Sequence, residues 1–170
     1  MKKILIKDQS GAALIEFAFV APIFFLLLMG IVELGLFFYA QNVIENATAA
    51  SARYGITNGD YDNRNLCKDE NSRADFIRCS IDKYSRGLLD PADVNIQAQP
   101  FNNFNNVKRD NYNFDDDKPK APDYGGPNQA VVYHVTYKWK FFTPLVGRFF
   151  SSDSTYLIQS NVLVKNENFD

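Results

Sequence analysis

Apolar residues are concentrated near one end of the chain. From Phe17 to Val32 the run FAFVAPIFFLLLMGIV carries no charge, and with its extensions it reaches the roughly 20 residues needed to cross ~30 Å of hydrocarbon. A core helix apolar on every side would need a much larger protein around it, so the pattern predicts a membrane helix. Beyond it, Val43, Ile44, Ala47, Ala50 and Tyr54 recur at three- and four-residue spacing, with Gly55 as a C-terminal cap. One helix is expected over Ala12 to Tyr54, its outer third amphipathic and packed on the body. Pro22 and Gly30 are points where it can kink or loosen.

The rest of the chain alternates between shorter patterns. Gly55 to Glu70 reads as a loop. Ser72 with Asp75 forms a capping-box start, and Ala74, Ile77, Ile81, Tyr84 and Leu88 repeat at helical spacing, predicting a second helix over Ser72 to Arg86. Val94 to Gln99 alternates as a short strand. Pro100 to Asn128, asparagine-rich with Pro119, Pro122 and Pro127, predicts a long loop whose Phe101, Phe104, Tyr112, Phe114 and Tyr124 are either packing anchors or a binding patch, packing being the safer reading. Ala130 to Phe142 is the clearest strand: Val131, Tyr133, Val135, Tyr137, Trp139 and Phe141 form one face, and His134, Thr136, Lys138 and Lys140 a solvated one. Thr155 to Lys165 supplies another strand. The expected fold is α+β: a long N-terminal transmembrane helix, then a small head with a second helix and an antiparallel sheet.

Charge sharpens this division. Met1 to Gly11 sums to +2, Ala12 to Ala40 to −2 through Glu16 and Glu33 alone, and the remainder to −2. A net charge of −2 argues against a nucleic-acid partner bound through a broad basic surface. Lys2, Lys3 and Lys7 before the apolar run, against a lone Arg53 in the twenty residues after Ala40, place the N-terminus in the cytoplasm and the head outside. A cleaved secretory signal fits less well: the small-residue sites Ala47-Thr48-Ala49 and Ala50-Ser51-Ala52 lie far beyond the end of an overlong apolar stretch.

Candidate chemistry is sparse. Cys67 and Cys79, twelve apart, lack the spacing of a redox or metal site, and outside the cytoplasm they read as a disulfide pinning loop to helix. Asp60, Asp62, Asn63 and Asn65 imitate a calcium loop, but Arg64 occupies a ligand position and Asn71 stands where a bidentate glutamate is required. Asp115-Asp116-Asp117 beside Lys118 and Lys120 reads as an exposed acidic run. His134, the sole histidine, has no partners for metal binding or base catalysis. No nucleophile–base pair, metal cluster or phosphate loop appears, so neither an enzyme nor a cofactor is expected. Of the two membrane carboxylates, Glu33 near the outer end is expected to reach interfacial water. Glu16 at the inner edge fits either a helix-start residue or a functional group.

The stretch Gly11 to Gly55 resembles the TadE-like family of tight-adherence (Flp-type) pilus assembly proteins. Gly11-Ala12-Ala13, Glu16-Phe17, Pro22, Glu33-Leu34-Gly35, Phe38-Tyr39-Ala40 and Ala52-Arg53-Tyr54 carry the resemblance, and Ser160 to Glu167 adds a weaker likeness at the other end. The resemblance implies a prepilin peptidase that cuts after Gly11, making Ala12 the mature N-terminus and Glu16 its fifth residue. The organisation would then be a leader over 1–11, a helix over 12–54 and an extracytoplasmic head over 55–170. Cutting at Gly11 would free an ammonium at the hydrocarbon edge, where a neighbouring subunit's Glu16 can pair with it and set the axial offset between subunits.

Two functions fit this topology. One is a minor pilin or pseudopilin of a type IVb/type IVc-like system, stored in the inner membrane and incorporated into a priming or tip complex. Its partners would be other pilins and minor pilins, the prepilin peptidase, the inner-membrane assembly platform and lipid. The other is a permanently anchored single-pass envelope protein whose head binds a ligand or surface. Only the first accounts for Gly11 followed by Glu16.

Overall fold

The structure is a computed structural model. It describes residues 10–56, 67, 73–108, 112, 114–116, 118 and 120–168. The calcium-like loop, Ser72 and Asp117 lie outside the described residues, as does the leader before Ser10.

Helix α1 spans Ser10–Ile56, roughly 70 Å at 1.5 Å per residue. The expected stop at Gly55 is corrected slightly, since that glycine lies inside the last turn; helix ends commonly differ by one or two residues. Pro22 is also inside the helix. Among the described residues α1 is the one helix long and apolar enough to cross a membrane, and the rest of the chain buries none of its most apolar stretch.

The head docks on the second half of α1. Glu33, Phe37, Ala40, Ile44, Ala47 and Ser51 are buried along one stripe at alternating spacings of four and three, which on a 3.6-residue helix is a single face. Against this stripe pack helix α2 (Arg73–Ser85) and a three-stranded sheet. The strands are β1 (Val94–Phe101), β2 (Ala130–Lys140) and β3 (Thr155–Lys165), antiparallel in the order β1-β2-β3. The fold is therefore the expected α+β arrangement. β1 continues two residues past its predicted end, through Pro100. Its position at a sheet edge permits a residue without an N–H.

Val131, Tyr133, Val135, Tyr137 and Trp139 of β2 join Ile158 and Val164 of β3, Ile77 and Ile81 of α2, and the α1 stripe in one core. A buried side chain of this size contributes about 1.5–3 kcal/mol, so the sheet and α2 hold the outer half of α1 as part of the head.

A short helix that the residue pattern does not predict follows β2. The strand predicted to Phe142 ends at Lys140, and Pro144–Phe150 forms helix α3 between β2 and β3. Thr143 at the N-cap and Pro144 in the first turn are the local signal for it. Gly147 is required there, because a Cβ at that position would come within 2.5 Å of the Ser154 Cβ and 2.9 Å of its Cα.

Candidate functional site

Gly11, Ala12 and Glu16 lie on the first turns of α1, and every residue from Gly11 to Val20 is exposed. A Cβ built on Gly11 would meet no atom within 4 Å. Glu16 makes no hydrogen bond or ion pair with a described residue. Gly11 and Ala12 both have helical backbone within α1. These residues are exposed and are not covered by any described part of the head.

Glu33 is a different case, and its expected contact with interfacial water is corrected. Its side chain is buried, the residue being only 3% exposed. Oε1 accepts hydrogen bonds from the backbone N–H of Phe142 and from that of Thr143, the latter at 2.9 Å, and Oε2 stands 3.2 Å from the same Thr143 nitrogen. The carboxylate thus ties α1 to the turn that opens α3, where two backbone donors leave the sheet ladder. Hydrogen bonds to a charged group contribute about 1.5–3 kcal/mol each, which offsets the cost of taking the carboxylate out of water.

Around this tie the packing is close. Val146 of α3 lies 3.7 Å from where a Cβ on Gly30 would stand, so Gly30 opens a seat for α3. One turn beyond Glu33, the Phe37 ring meets Trp139, Phe141, Phe150 and Tyr156 at centroid distances of 5.2–6.3 Å. Phe141 and Phe150 stack at 4.7 Å. Gly30, Glu33 and Phe37 therefore form the junction of rod and head.

The second face of the sheet is covered at one end, which corrects in part the solvated face predicted for β2. His134 and Thr136 are buried, while Lys138 and Lys140 are exposed. A strap around Phe114 to Asp116 crosses this face. Phe114 stacks on the His134 ring at 4.7 Å with the planes 4° apart. His134 Nε2 donates to Asp116 Oδ1 at 2.9 Å, and Nδ1 hydrogen-bonds the Asn161 side chain at 2.6 Å. Gln97 donates to the Asp115 carbonyl at 3.0 Å. His134 thus has partners, and they serve packing. Asp115 and Asp116 are exposed, as the acidic run predicts, and the Asp116 carboxylate also reaches His134.

Cys67 and Cys79 are joined in a disulfide, with Cα atoms 6.1 Å apart. Arg73 at the start of α2 donates to the Tyr133 hydroxyl at 2.8 Å and the Tyr124 carbonyl at 3.2 Å, and its guanidinium lies over the Tyr124 ring. Tyr124 packs beside Tyr133. Burial, assisted by Tyr133, pushes the Tyr124 phenol up to about 12. Among the described residues no group of three or more His, Cys, Asp or Glu side chains is arranged to hold a metal ion.

The family model described as "TadE-like protein" matches residues 11–53. The match lies wholly within α1, starts at Gly11 and includes Glu16, Gly30 and Glu33. It connects the chain with proteins of tight-adherence pilus systems. No curated protein and no solved structure matches the chain.

Proposed function

We propose that the protein is a minor pilin or pseudopilin of a tight-adherence pilus system. It is inserted in the inner membrane through α1, N-terminus inside and head outside, and a prepilin peptidase removes residues 1–11. The mature protein, a helix over 12–54 carrying a head over 55–170, then enters a priming or tip complex with other pilins. The observation that carries this reading is Gly11 followed five residues later by Glu16, both exposed on an apolar helix that the family model matches from residue 11 onward. Glu16 has no partner among the described residues, and a carboxylate at a hydrocarbon edge is stabilised by one. The ammonium freed at Ala12 of a neighbouring subunit has the charge and position to provide it.

Mass spectrometry of the protein from cells with an active prepilin peptidase is expected to find Ala12 as its first residue. Glu16→Ala is expected to leave membrane insertion intact and abolish incorporation into pili. An intact Met1, or normal incorporation of the Glu16→Ala variant, contradicts the proposal.

A further inference from the structure

Helix α3 and the turn before it expose an apolar surface that the core does not use. Phe149 is 85% and Phe142 70% exposed, and Leu145 is exposed beside them. Arg148 is exposed in the same helix, and Phe141 to Phe150 contains no acidic residue. Where this patch sits along α1 decides its meaning. The exposed apolar part of α1 runs from Ala12 to Val32, roughly 31 Å at 1.5 Å per residue, which matches ~30 Å of hydrocarbon. Val146 sits against Gly30 and the α3 turn is tied to Glu33, so α3 lies at the last turn of that stretch. Exposed phenylalanines continue the apolar surface of the rod outward onto the head at the depth where hydrocarbon gives way to headgroups.

From this the geometry points to α3 as a second membrane contact: a short interfacial helix that lies on the outer leaflet, with Phe142, Leu145 and Phe149 entering the headgroup–acyl boundary and Arg148 reaching lipid phosphate. Aromatic rings are favoured at this depth, and an arginine beside them can keep its stem in the apolar zone while its guanidinium meets phosphate. The Glu33 carboxylate fits this placement, because its oxygens face backbone N–H groups. A lipid occupant is favoured over a protein one by the continuity of the patch with the lipid-length surface of α1. The patch then fixes both the depth and the tilt of the head. The inference rests on the reading of α1 as a membrane span.

The test uses the full chain, with its disulfide intact, in vesicles of phosphatidylethanolamine and phosphatidylglycerol. Single cysteines replace Phe149, Leu145, Phe24 and Glu167 in separate variants, each carrying a nitroxide label. Collision rates with oxygen, which prefers lipid, and with a water-soluble nickel chelate report depth. The Phe149→Cys and Leu145→Cys labels are expected to show an oxygen-to-nickel ratio several-fold above that of Glu167→Cys, two residues past the end of β3, and below that of Phe24→Cys in the span. Ratios at positions 149 and 145 equal to that at 167, with Phe24→Cys deep in lipid, would overturn the interfacial helix and leave the membrane span standing. Low access to both agents at 149 and 145 would overturn it in favour of a protein surface covering the patch. A water-exposed Phe24→Cys label would remove both readings.

Discussion

Glu33→Ala is the most informative single change. It removes the acceptor for the N–H groups of Phe142 and Thr143 and leaves both donors without their partner where the chain enters α3. Two charge-assisted hydrogen bonds amount to about 3–6 kcal/mol in gross terms. Relief from desolvating a carboxylate returns part of this, so the net loss is about 2–4 kcal/mol. A protein of ordinary stability has about 5–15 kcal/mol in total, so the change opens the junction locally before it unfolds the head. A Glu33→Gln substitution retains one carbonyl acceptor and is expected to lose about half as much.

Amide hydrogen exchange of the full chain in lipid nanodiscs reads this directly. At 1.4 kcal/mol per tenfold, protection at Phe142 and Thr143 should fall roughly 30- to 700-fold in Glu33→Ala, and by less in Glu33→Gln. Amides in the middle of β2, such as Val135, should change far less, because their ladder bonds to β1 and β3 remain. A glutamate whose carboxylate merely reached water would change stability by no more than about 0.5 kcal/mol. Unchanged exchange at 142 and 143 would therefore refute the tie.

Three further outcomes follow from the head. Replacing Cys67 and Cys79 by serine reopens a loop of sequence separation 12. It should lower stability by about 2–3 kcal/mol in denaturant unfolding, and equal midpoints for the two proteins would show that the disulfide constrains nothing. His134→Ala removes the ring under Phe114 and the contact with Asp116, at a cost of about 2–3 kcal/mol. Limited proteolysis should then cut the chain between β1 and β2, and a strap as resistant as in the unaltered protein would count against its dependence on His134. Tyr124 titrates above the ordinary phenol value of 10.0, at about 12, so its neutral form contributes stability that is complete below pH 10 and lost as pH rises from about 10 through about 12. Its buried hydroxyl has no hydrogen-bond partner among the described residues. Tyr124→Phe should therefore leave neutral stability within about 0.5 kcal/mol and weaken the alkaline loss measured by circular dichroism; an unaltered alkaline profile would contradict this account.

What could be read from the sequence follows from how local each signal is. The rod, α2 and the three strands announce themselves by period, and the bounds of β3 coincide with the alternation from Thr155 to Lys165. The misreadings of Glu33 and His134 share one cause. Their neighbours in sequence place both at an edge or on a polar face, which predicts contact with water. Each is buried by a segment distant along the chain: residues 142 and 143 for Glu33, and residues 114 to 116 for His134. Period-two alternation states which residues share a face but not whether a loop will cover it. The asparagine-rich stretch has no period of its own, yet Gln97 and His134 on adjacent strands hold it in place. The Thr143-Pro144 start of α3 was visible, but the helix has only seven residues, too few for a helical period to stand out against the strand before it.

The two glutamates of α1 differ in how their charge is met, and the difference supports the proposed role of Glu16. An ionised side chain at mid-bilayer costs roughly 2.5–3.5 kcal/mol on insertion scales and less toward an edge. At Glu33 the chain meets this cost internally: Phe142 and Thr143 supply donors, and the carboxylate becomes a structural tie. No described residue does the same for Glu16. Neither helix geometry nor packing in the head requires an acidic side chain there, since alanine would serve an exposed helical position equally well. A group that costs free energy in the isolated subunit and contributes nothing to its fold is explained by a state in which it has a partner. For Glu16 the proposed state is the assembled one. Restoring charge complementarity should therefore be specific to position: moving the glutamate by one residue, as in Glu16→Phe combined with Phe17→Glu, preserves composition but swings the carboxylate about 100° around the helix. That double variant should insert normally and still fail to enter pili. Its incorporation at the level of the unaltered protein would show that any acidic group near the end suffices, and would remove the case for a defined pair with Ala12.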